Sequence, residues 1–196
     1  MTASENTLAS GKFFRFWSAA NEPRAVVLIS HGLGEHSGRY EHVAAALTAD
    51  NLHVYALDHI GHGKSPGKPA YIDRFSDLTS GVSELRDHIR RHHAGLPVIL
   101  IGHSMGGLIA IRLALGAHAD YAGLILTGPL LGQPEAPSRL QVMLLRVLSV
   151  LAPKVKAIEI DASAVSRDPA VVSDYIADPL VHHDNIPART VVSLFD

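Results

Sequence analysis

The twelve residues from Leu96 to Gly107, LPVILIGHSMGG, constrain the fold more than any other part of the chain. A short apolar run (Val98, Ile99, Leu100, Ile101), the length of a buried strand, leads directly into Gly102-His103-Ser104-Met105-Gly106. Apolar residues at helical spacing follow: Leu108, Ile109, Ile111, Leu113 and Ala114. G-x-S-x-G between a strand and a helix is the pattern of a sharp elbow that holds a serine hydroxyl out at the tip of a turn. Glycines two before and two after Ser104 remove side chains that would collide where strand and helix approach. The same letters also fit a Gly-rich helix start with Ser104 as an ordinary N-cap. The strand pattern before them favours the elbow, and with it Ser104 as a nucleophile.

At 196 residues and 47% hydrophobic, the chain suffices for a domain with a substantial core. A formal net charge of −2 offers no basic footprint, so no nucleic-acid partner is expected. The opening MTASENTLASGKFFRF has no continuous apolar stretch of the secretory kind, and no apolar run approaches the ~18 residues of a membrane span. The absence of cysteine excludes thiol catalysis and is in keeping with a cytoplasmic location. Thirteen histidines lack zinc-type spacing, so neither a metal nor another cofactor is expected.

Four short strands of buried type are bounded by turn residues: Ala25–Ser30, His53–Leu57, Val98–Ile101 and Gly123–Thr127. A fifth, Phe13–Trp17, alternates more and is expected at a sheet edge. Helical patterns lie between them, at Arg39–Asp50, Asp77–His93 and Met105–Ala117. This alternation predicts an α/β fold, a mostly parallel sheet with helices on both faces. After Pro129 strand signals largely stop. Residues 1–130 are therefore read as the core and 131–196 as a lid or cap inserted over the sheet. Within it, Arg139–Leu151 (RLQVMLLRVLSVL) is helical and apolar almost all round, so it is either buried on several sides or lies against something greasy.

A serine nucleophile needs donors for the oxyanion it creates. At such an elbow one donor is the amide after the nucleophile, here Met105, and the other lies in the loop after an earlier strand. Ser30-His31-Gly32-Leu33-Gly34 follows the strand AVVLIS, and Leu33 is the expected donor. Such a preorganised donor is worth roughly 3–4 kcal/mol of transition-state stabilisation. Asp58-His59-Ile60-Gly61-His62-Gly63 resembles a metal or phosphate loop on the surface, but reads better as a structural turn with Asp58 bonding nearby backbone. His103, adjacent to Ser104 on the tight elbow, points away from it and is not expected to be its base.

Taken together, HGLGEHSGRY (His31–Tyr40), LDHIGHGKSPG (Leu57–Gly67) and GHSMGG (Gly102–Gly107) resemble the monoacylglycerol lipase family of α/β-hydrolases. The order and spacing of the blocks match as well. KFFRFW and the stretch Ser166–Asp184 resemble the first strand and the cap of that family. The resemblance implies Ser104 as nucleophile, the Leu33 and Met105 amides as oxyanion hole, and a lid over a tunnel for one acyl chain. The implied substrates are monoacylglycerols, with lysophospholipids and short-chain esters for related members.

One requirement is not met. The triad order in this fold is serine, acid, histidine, each partner on a loop after a later strand. Downstream of Ser104 the histidines are His118, His182 and His183. His118 is about 20 Å along the helix leaving the elbow, and the other two fall within cap-like sequence, as do Asp161, Asp174 and Asp184. The expectation is an amino-terminal portion of a longer enzyme, its carboxy-terminal strands and its triad acid and base not in this chain, and nearly inactive alone. The alternatives are His182 or His183 recruited as base, or a non-catalytic binding module that uses the old pocket. Leu144 and Leu148 on the lid helix are the expected lipid contacts, giving a peripheral membrane or lipid-aggregate surface. Glu35, His36 and Arg39 are read as positioning the helix that follows them rather than as holding the glycerol head.

Overall fold

A computed structural model of the chain describes residues 2–116, 121–132 and 138–195. Two six-residue segments, AVVLIS and LHVYAL, are buried at every position, which a strand achieves only when both sheet faces are covered. They form β3 (Ala25–Ser30) and β4 (Leu52–Leu57) and pair in parallel at the centre of a six-stranded sheet. With β1 (Ser4–Thr7), β2 (Phe13–Trp17), β5 (Val98–His103) and β6 (Gly123–Thr127), the order is β1-β2-β4-β3-β5-β6. β3 to β6 are mutually parallel where they pair; β1 and β2 run antiparallel.

The period-two alternation of β3 sorts its side chains between two cores. Val26 and Leu28 join Leu78, Val82, Leu85, Ile89 and Ile109, contributed by α2 (Phe75–His92) and α3 (Met105–Ala114). Val27 and Ile29 face the other way, with Ala44 of α1 (Glu41–Ala49) and Trp17. Helices thus cover both faces. Phe13–Trp17 is not an edge strand, however. β1 pairs along it, an exposed tetrapeptide, SENT, whose sequence carries no apolar alternation that would mark a strand. The opposite edge is β6, whose Leu124, Ile125 and Leu126 remain exposed among the described residues.

Beyond β6 the chain leaves the sheet and forms α4 (Arg139–Leu151), β7 (Lys156–Ile158), α5 (Pro169–Ala177), β8 (Ile186–Pro187) and α6 (Ala188–Phe195). Ser138 and Gln141 begin α4 with a reciprocal capping box. α6 is anchored to the sheet domain. Thr190 accepts the Ile72 amide at 2.9 Å and donates to the Ala70 carbonyl at 2.8 Å, and Leu194 enters the main core.

Candidate active site

β5 ends at Ser104 with φ 51° and ψ −115°, a left-handed backbone that costs a non-glycine residue on the order of 1–3 kcal/mol. Hydrogen bonds hold it there. The Ser104 amide donates to the Thr127 carbonyl at 3.1 Å, and its own carbonyl accepts from Gly107, Leu108 and Leu130. The flanking glycines are demanded by contact: a Cβ on Gly102 would stand 2.4 Å from the Gly106 carbonyl oxygen, and one on Gly106 1.9 Å from that of Ser30. Ser104 itself is half-buried, at the open tip of the turn.

The His31–Tyr40 loop lies beside it. A Cβ on Gly32 would be 3.3 Å from Ser104 Cβ. Leu33 is half-buried against the core, and its amide enters no hydrogen bond among the described residues. Met105, fully buried, begins α3, so its amide has no partner within the helix. The structure therefore brings Ser104, the Gly32–Leu33 turn and Met105 to one place.

Asp58, completely buried, ties this loop to the one after β4. It accepts the Ser37 amide at 2.7 Å and the Ser37 hydroxyl with Oδ1, and the Lys64 amide at 2.8 Å with Oδ2; Arg15 Nη1 stands 3.7 Å away. The Asp58 loop is structural, as its residues suggest, but its bond to Ser37 spans two loops and could not be read from spacing. Glu35 likewise does more than precede a helix: it accepts the Gly32 amide at 2.7 Å and the Tyr40 hydroxyl at 2.7 Å. His36 Nε2 donates to Asp178 Oδ2 at 2.8 Å, linking the loop to the end of α5, while its Nδ1 accepts the Gly38 amide.

His31, His59 and His62 pack ring on ring behind the site, with His31 centroids 4.4 Å from His59 and 5.4 Å from His62. Burial lowers all three pKa values, His59 well below the usual histidine range and His62 to about 3. The folded chain thus leaves them neutral while the unfolded chain, near 6.5, takes up protons. Stability is complete above about pH 6.5 and falls as pH drops below it, by roughly 1.4 kcal/mol per pH unit for each histidine still neutral. Urea midpoints should be flat from pH 8 to 7 and decline steeply between 6.5 and 5, above the carboxylate range. An unchanged midpoint at pH 5.5 would contradict this.

No side chain among the described residues hydrogen-bonds the Ser104 hydroxyl. His103 points its Nδ1 at Thr127, 2.9 Å from the carbonyl and 3.0 Å from the hydroxyl. His182 donates its amide to the Gly34 carbonyl, and His183 Nε2 bonds the Asp178 carbonyl. Asp184 pairs with Lys156 and Asp161 caps a short turn. His118 lies outside the described residues. On α4, Leu144 is 56% exposed and Leu148 half-buried, and Leu140, Met143, Val147, Val150 and Leu151 are exposed with Leu144. Among the described residues, then, α4 is not buried on several sides. No helix among the described residues is long and apolar enough to cross a membrane.

Sheet order, the strained serine turn and the glycine-rich loop facing it define the α/β-hydrolase class. Within that class, the family model described as "Serine aminopeptidase, S33" matches residues 21–196, and the chain belongs to that family. It is 42% identical over 172 residues to a monoacylglycerol lipase of Mycolicibacterium smegmatis, covering 88% of this chain and 61% of the relative. It is 40% identical over 170 residues to human monoglyceride lipase, covering 86% of this chain and 56% of the relative. The crystal structure of Paleococcus ferrophilus monoacylglycerol lipase superposes with a TM-score of 0.76 at 34% identity, covering 100% of this chain and 70% of that one. The chain thus spans 61% and 56% of the length of these two curated relatives.

Proposed function

We propose that the intact gene product is a serine carboxylester hydrolase that releases fatty acid from monoacylglycerol, or from lysophospholipid or short esters. The observation that carries this reading is the half-exposed Ser104 on its left-handed turn, against Gly32. The kinship with monoacylglycerol lipases supports the substrate class. In the reaction, Ser104 Oγ attacks the ester carbonyl carbon as its proton passes to a base. The Leu33 and Met105 amides hold the oxyanion, the C–O bond to the alcohol breaks, and water then releases the acid from the acyl-serine. On this reading the triad acid and base belong to the part of the relatives' length that this chain does not span. No cofactor takes part.

The segment from residue 131 onward acts as the cap. The exposed apolar face of α4 supports peripheral contact with membranes or lipid aggregates from the cytoplasm. Leu144→Asp and Leu148→Asp in the intact protein should lower activity on long-chain monoacylglycerol about ten-fold or more, while a soluble short ester is largely spared. A leucine withdrawn from water is worth roughly 1.5–3 kcal/mol. Half-buried Leu148 should also lower stability. Equal losses on both substrates would remove the support for lid docking, and absence of Ser104-dependent hydrolysis would leave a binding module instead.

A further inference from the structure

The oxyanion loop is held at both ends of one glycine. The Gly32 amide donates to Glu35 Oε1 at 2.7 Å, and the Gly32 carbonyl accepts from His31 Nδ1 at 2.8 Å. His31 has only one tautomer open to it, because its Nε2 accepts the His59 amide at 3.0 Å; the proton therefore sits on Nδ1. The described residues contain no cis peptide, so in the planar Gly32–Leu33 unit the Leu33 N–H runs opposite to a carbonyl pinned to the His31 ring.

A carboxylate near a developing oxyanion opposes it by charge. Two neighbours offset that here. Arg39 Nε lies 3.4 Å from Glu35 Oε2, and the Tyr40 hydroxyl donates to Oε1 at 2.7 Å. Burial, and then the Glu35 charge, raise the Tyr40 pKa, so the hydroxyl keeps its proton and remains a donor. Arg39 in turn lies 4.8 Å over the Tyr175 ring of α5.

We propose that Glu35 is a positioning residue: by occupying the Gly32 amide, it turns the loop so that Leu33 offers its N–H to the oxyanion at Ser104. This rests on the ester-hydrolase reading above. Glu35 acts as a hydrogen-bond acceptor, and a glutamine carbonyl can replace it where alanine cannot. In the intact protein, Glu35→Ala should lower kcat on a soluble ester by about 10- to 100-fold with KM little changed. That is a fraction of the roughly 10²–10³ lost when an oxyanion donor is removed outright. Glu35→Gln should recover to within about three-fold of the parent. The Gly32 amide proton resonance should move upfield in Glu35→Ala and stay close to its parent position in Glu35→Gln.

Unchanged kcat in Glu35→Ala, a loss confined to KM, or equal losses in both variants would overturn the proposal. Labelling of Ser104 by a fluorophosphonate, with Ser104→Ala as control, separates the two levels. A labelled Ser104 with unaffected kcat in Glu35→Ala refutes the positioning role alone. An unlabelled Ser104 refutes the hydrolase reading, while a Gly32 resonance insensitive to Glu35 refutes the clamp independently of activity.

Discussion

Ser104→Ala in the intact gene product should lower ester turnover by about a million-fold and abolish fluorophosphonate labelling. Removing the nucleophile of a serine hydrolase leaves only binding and the oxyanion hole, worth roughly 10³–10⁴ over water. The same position carries a second, opposite expectation. Its φ of 51° is unfavourable for serine and alanine alike but open to glycine. Ser104→Gly should therefore be equally inactive yet unfold at a higher urea concentration, by about 1 kcal/mol in stability. Activity retained in either variant would remove Ser104 from the chemistry. A Ser104→Gly variant less stable than the parent would show that the turn is not strained.

Gly106→Ala should be the most damaging single methyl group in the chain. Its Cβ would lie 1.9 Å from the Ser30 carbonyl oxygen and 2.7 Å from that of His31, both backbone atoms at the end of a central strand. No side-chain rotation relieves this. Either α3 moves off the sheet or β3 gives way, and both disturb the main core. The expected cost exceeds about 4 kcal/mol, the range reserved for severe overpacking, seen as loss of the cooperative unfolding transition by circular dichroism. Gly132→Ala is the matched control: a Cβ there meets no atom of the described residues within 4 Å, and stability should change by less than about 0.5 kcal/mol. A Gly106→Ala chain with a parent-like midpoint would mean that the close packing of elbow and sheet is not as described.

Several parts of this architecture were legible without coordinates. AVVLIS and HVYAL announce buried strands because each is short, rich in β-branched or other apolar residues and bounded by turn residues, and GHSMGG announces the elbow because only glycine tolerates that crossing. The polar β1 was not legible, since an exposed strand recruited by pairing to Phe13–Trp17 needs no hydrophobic pattern of its own. Nor was the fate of RLQVMLLRVLSVL. Its composition fits burial and exposure equally, and only the packing of the segment after β6, among the described residues, leaves Leu140, Met143, Leu144 and Val150 exposed.

Local sequence by itself determined the strand–turn–helix at Ser104 and the glycine-rich turn after β3, because both depend on steric limits within a few neighbouring residues. Tertiary structure alone decided which groups hold that turn in place. The bonds from Asp58 to Ser37 and from His59 to His31 join residues more than twenty positions apart. They exist because β3 and β4 lie side by side in the sheet and deliver their two loops to the same edge, a proximity that the linear order of residues does not contain.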